Sequence, residues 1–231
     1  AANHLIKRQG FLSWLHGVVS WRNVSSVFPY VALRCRFLKL ITTAVDAYRC
    51  LNQASDDING STMEFYEKAP LANAVIRICL NDADTAENKG ISSDEFPTAL
   101  LESTSNSLWA IYLAGKGQHI AITLSGSTNL HNAMSLLKKF ICHVEMFGKV
   151  LASICDLPLV TNDADLPSAK LFCELALGFI LEMRTRVLSD TILLSLRRVS
   201  ELMKLHPCLG DEAHIVSQMM KCRHFVYLLV G

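Results

Sequence analysis

The chain has little punctuation. Its 231 residues include only 6 prolines and 11 glycines, few of them clustered, which disfavours a fold of many short strands joined by tight turns. No uncharged apolar run approaches the roughly 20 residues of a membrane-spanning helix; the nearest, Ser107 to Gly115, is far too short. CxxC is absent, as are GxSxG, HExxH, the P-loop and GxGxxG, so no familiar metal, catalytic or nucleotide-binding motif is present and no cofactor is implied. The first 45 residues contain no acid; Asp46 is the first. The chain opens on Ala1 rather than methionine and is expected to be a processed or excised piece of something longer.

What is there is apolar and helical. Hydrophobic residues make up 51% and charged residues 19%, enough to bury a sizeable core and too little charge for a disordered chain. Apolar positions recur at helical spacing in most of the chain. Helices are expected from His4 to Trp21, after Pro29 through Leu33, Phe37, Leu40, Ile41, Ala44 and Tyr48, from Thr62 to Leu80, and from Ser93 to Leu113. The widest stripe runs from His131 to Cys155 through Met134, Leu137, Ile141, Val144, Phe147, Leu151 and Ile154, and predicts one long helix. Leu166-Pro167 starts another, since proline suits a first turn. Asp190 caps a seventh helix that stops at His206-Pro207, and Asp211 caps the last. Only residues 119–124 (His-Ile-Ala-Ile-Thr-Leu) read as a strand, and a lone strand makes no sheet. The expectation is a single all-α domain over 1–231, a helical bundle or array of about eight helices.

Charge is unevenly spread. Lys7, Arg8, Arg22, Arg34, Arg36 and Lys39 give residues 1–45 six cations and no acid, so the remainder is net −5 within a chain of +1. With Leu5, Phe11, Trp14 and Trp21 interleaved, this segment suits an acidic protein, RNA or a lipid headgroup surface. Its composition also matches a transit peptide. A basic first helix pair packed on a more acidic body produces the same distribution. Lys7, Arg8, Trp14, Arg22, Arg34, Arg36 and Lys39 are the candidate partner-binding residues.

Metal ligands have two candidate locations. Asp84 to Glu95 resembles a calcium loop, with Asp84, Asn88, Ser92 and Glu95 at ligand positions and Phe96 following; such a loop wraps a hard cation in alternating oxygens and closes on a bidentate carboxylate. Ala86 replaces a ligand, and Lys89 stands where glycine makes the turn. Ser92-x-x-Glu95, like Ser61-x-x-Glu64, also reads as a helix capping box. Asp84, Asn88 and Glu95 remain the candidate metal residues. His206, Cys208, His214, Cys222 and His224 gather zinc-capable groups near the C-terminus in no recognised spacing. Asp56-Asp57 and Asp82/Asp84 are paired carboxylates in polar loops with no accompanying motif. The 8 cysteines fall mostly in apolar helical segments, where a thiol acts as a small hydrophobe. They are read as reduced and mostly buried, which suggests an intracellular, cytoplasmic protein; the sequons at Asn23 and Asn59 point the other way.

Trp21, Phe28, Val31, Leu33, Phe37, Leu40 and Asp46 look similar to the signature around the third to fifth helices of nuclear-receptor ligand-binding domains. That resemblance covers residues 21–46 and implies an all-helical small-molecule-binding domain with an apolar pocket. Cys35-Arg36 and Ser26-Val27 depart from its pattern, and the C-terminal Val226-Tyr227-Leu228-Leu229 lacks an acidic activation helix. The leading expectation from the residues is a non-enzymatic binding or scaffolding module. Its partner is expected to be another protein, with RNA or a membrane surface as the alternative through residues 1–45. Small-molecule binding and calcium binding at 84–95 are the competing functions.

Overall fold

The structure is a computed structural model describing residues 31–54, 68–80, 97–115, 128–157, 159–160, 166–182 and 189–230. The protein is all-α. Eight helices occur among the described residues: α1 Val31–Ala54, α2 Lys68–Leu80, α3 Thr98–Gly115, α4 Leu130–Lys139, α5 Val144–Asp156, α6 Leu166–Glu182, α7 Ser189–Leu205 and α8 Ala213–Val230. The chain divides into two compact units, residues 1–127 and 128–231, each described by itself. Within the second unit, the only extended pairing among the described residues joins β1 Thr128–Asn129 to β2 Leu159–Val160 in parallel, Thr128 opposite Leu159. The helix expected at 4–21 and the strand expected at 119–124 lie outside the described residues.

In the first unit α3 packs against both α1 and α2. Helix α1 buries Arg34, Phe37, Leu38, Ile41, Ala44 and Val45, a stripe at i, i+3, i+4 and i+7. Helix α2 is buried nearly all round, from Leu71 to Cys79, with Arg77 exposed. The α1–α3 crossing is lined with hydroxyls. Ser107 Oγ lies 2.9 Å from Leu38 O, 3.0 Å from Thr42 Oγ1 and 2.8 Å from its own helix's Ser103 O. A serine has one proton, so it donates to one of the two carbonyls at a time. The short side chain brings the helix backbones close, which a larger residue would prevent.

In the second unit α6 is central, packing against α4, α7 and α8. It buries Ala169, Phe172, Cys173, Ala176, Leu177 and Ile180. Pro167 stands in its first turn as the sequence predicts. The single helix expected from His131 to Cys155 is instead two. The chain turns at Phe140–His143, closed by Phe140 N–H to Leu137 O (3.0 Å) and His143 N–H to Phe140 O (2.8 Å). Two causes combine. Ile141, Cys142, His143 and Val144 are all modest helix formers, and the turn places Phe140 wholly in the core. Ile141, expected in the apolar stripe, is 51% exposed.

The end of α5 is set by Pro158, which has no N–H to continue the ladder. Leu157, restricted as a residue before proline, is extended at φ −79°, ψ 147°, and its N–H turns back to Ile154 O. Carbonyls at this end therefore lack helical partners. Arg198 of α7 supplies them: its Nη2 donates to Cys155 O (3.0 Å) and Leu157 O (2.7 Å), while Nη1 pairs with Glu201. Helix α7 ends the same way, at His206 before Pro207. A 3-10 turn, Pro207–Asp211, then intervenes, so Asp211 is not the cap of α8; Glu212 O accepts its first bond, from Val216 N–H.

Two substitutions test this account. Arg198→Met removes two charge-assisted bonds and leaves buried carbonyls unmet, and is expected to cost about 2–3 kcal/mol, read as a lower urea midpoint. Arg198→Lys recovers only part of that, lacking the planar fork. In the helix interiors, an added Cβ at Gly178 meets nothing within 4 Å, whereas at Gly148 it meets Phe179 Cζ at 3.0 Å. Gly178→Ala is expected to stabilise by about 0.5–1 kcal/mol and to have a higher midpoint than Gly148→Ala, where the Phe179 ring must give way.

Candidate functional site

Helix α1 presents the part of the basic segment that the structure describes. Leu33, Arg36, Lys39, Leu40 and Thr43 are exposed, and spacings of three and four residues place Leu33, Arg36, Leu40 and Thr43 in one row with Lys39 beside it. The row is possible because the opposite face carries the core stripe. No carboxylate occurs on α1 before Asp46, and that residue pairs with Arg49 at 3.6 Å. The result is an amphiphilic strip of two leucines with two cations.

Arg34 does not belong to it. The sequence grouped it with the surface cations, but it is 1% exposed, on the same face as Phe37, Leu38 and Ile41. The signal was available: residue 34 precedes 37, 38 and 41 at core spacing. Lys7, Arg8, Trp14 and Arg22 lie outside the described residues, as do Asp84, Asn88 and Glu95, both sequons and the Asp56-Asp57 and Asp82/Asp84 pairs.

The C-terminal histidines and cysteines whose side chains are described are scattered, and the side chain of His224 lies outside them. His206 is half-buried at the end of α7, Cys208 and His214 are exposed, and Cys222 is buried with its thiol 3.8 Å from Leu177 O. Among the described residues no three His, Cys, Asp or Glu side chains are placed to share a metal ion.

The eight thiols are all free: Cys79, Cys155, Cys173 and Cys222 are buried, Cys35 partly so, and Cys50, Cys142 and Cys208 are exposed. Burial pushes Cys155 and Cys173 up from 9.0 to about 12, and Cys222 to about 11; a bond to Ser195 (3.7 Å) slightly offsets this at Cys155. The thiolate is the nucleophile, so these three are inert.

A second surface escaped the sequence reading. Between α7 and α8 runs an open groove of about 320 Å³, walled by Met203 and Lys204 on one side and Val216, Met219, Met220 and Arg223 on the other. Met220 is 61% exposed. Its signal was Met219-Met220 together with Met203, which composition alone assigns to a core. Among the described residues no helix is long and apolar enough to cross a membrane. No protein-family model matches the chain, and no curated protein or solved structure matches it.

Alkylation of the native protein is expected to modify Cys50, Cys142 and Cys208 promptly, and Cys79, Cys155, Cys173 and Cys222 only after unfolding, as peptide mass mapping reads directly. The folded thiols keep protons that unfolded ones release, so their contribution is full below pH 9 and is lost as pH rises from 9.0 through about 12.

Proposed function

We propose that this protein is a binding module that engages an acidic surface of another protein through the exposed face of α1. The observation that supports the reading most directly is the strip of Leu33, Arg36, Lys39 and Leu40, exposed together on one helix. Two leucines held in water offer area for burial, and two cations without a facing acid among the described residues set the sign of the partner. An apolar anchor with charged neighbours is how interfaces combine affinity with orientation. In sequence the strip follows Lys7, Arg8, Trp14 and Arg22, which share its acid-free composition. The role is non-enzymatic: binding is what an exposed, convex helix face does.

The test is binding of polyglutamate by the full chain at low and high salt, with poly(U) RNA and anionic vesicles as competitors. Affinity for polyglutamate is expected to fall several-fold with salt. The double variant Arg36→Glu/Lys39→Glu is expected to weaken it by about tenfold, or ~1.4 kcal/mol. Arg34→Gln serves as the contrast, lowering the unfolding midpoint rather than acting on the surface. Binding that ignores both salt and the α1 reversal overturns the reading, and stronger binding to RNA or vesicles moves the partner to that class.

A further inference from the structure

The groove between α7 and α8 is independent of the α1 strip and lies in the other unit. Its walls are two helical ridges. Val216, Met219, Met220 and Arg223 stand at i, i+3, i+4 and i+7 on α8, and Met203 and Lys204 at the matching height of α7. The seven steps of α8 from Val216 to Arg223 span about 10 Å, or two helical turns. The floor is closed by Met219, which is buried, while Met220 stands out in solvent. Methionine is unbranched and polarizable, so such walls re-form around a guest side chain.

Charge then selects the guest. Lys204 and Arg223 both line the groove and are exposed, and among the described residues neither makes an ion pair. The nearest acid on α7, Glu201, is engaged by Arg197 (3.2 Å) and by Arg198. Before α8, Glu212 is engaged by Lys170 at 2.6 Å. An apolar channel two turns long with uncompensated cations on both walls matches a helix that carries leucine-like anchors along one side and carboxylates beside them. We infer that the α7–α8 groove is a docking site for a short, acidic, amphipathic helix of a partner protein.

The groove's own methionines report on it. The full chain carrying 13C-methyl methionine is titrated with a synthetic peptide of about 14 residues, long enough to hold helical structure, with leucines at i, i+3, i+4 and i+7 and glutamates elsewhere. Met203, Met219 and Met220 are expected to shift, while Met134, buried in α4, stays fixed. The same peptide with lysine for glutamate is expected to bind at least tenfold more weakly, as is the acidic peptide to Lys204→Glu/Arg223→Glu. Met220→Glu is expected to abolish the shifts with the Met134 signal intact. Arg36→Glu/Lys39→Glu is expected to leave the titration unchanged, which separates this site from the α1 strip. Unshifted groove methyls at about millimolar peptide, or equal response to the lysine peptide, overturns the inference. So does a concentration-dependent shift of the same methyls without peptide, which makes a second copy the occupant.

Discussion

A helix cannot simply stop. Its last carbonyls need donors, and where the chain turns into an apolar interior water does not supply them. At the end of α5 that constraint is met by one side chain: Arg198 reaches from α7 to Cys155 O and Leu157 O. Pro158 creates the demand by ending the ladder, and Glu201 holds the guanidinium that answers it. The α5–α7 contact is the most extensive helix pairing of this unit, and the arginine sits at one end of it. The remaining packing is ordinary apolar interlocking around α6, as at the Phe147 and Phe179 rings, 4.9 Å apart.

The first unit solves a different problem with smaller groups. Helix α3 buries Ser103, Thr104, Ser105 and Ser107. Ser103 and Thr104 return their hydroxyls to carbonyls one turn earlier, which makes them compact and nearly apolar from outside. Ser107 alone reaches across, to Leu38 O. The two units therefore use polar atoms in opposite ways, one long cation bridging elements and several short hydroxyls letting elements approach.

Helix positions were largely legible because period and proline both mark them. The core stripes of α1 and α6 follow directly from spacing, and Pro167 and Pro207 mark a start and a stop where expected. The turn at Phe140–His143 was not legible, since an unbroken apolar stripe continues through it. Only tertiary packing distinguishes Phe140, in the core, from Ile141, in water. The caps failed similarly: Asp211 has the right chemistry, but the 3-10 turn after Pro207 moves the start of α8 past it. At the candidate surfaces, composition identified Arg36 and Lys39 but grouped Arg34 with them, because charge alone does not say which way a residue faces. The groove was invisible because a methionine reads as core until a neighbour fails to cover it.

The small β1–β2 pair carries a consequence for how the second unit holds together. Thr128 meets Leu159 across about thirty residues of chain, so α4 and α5 lie within a loop whose two ends are already joined. Closing such a loop is entropically unfavourable once, and every contact made inside it afterwards comes at less entropic cost. The pair thereby lowers the entropic cost of the contacts that these two helices, each too short to persist alone, make with α6 and α7.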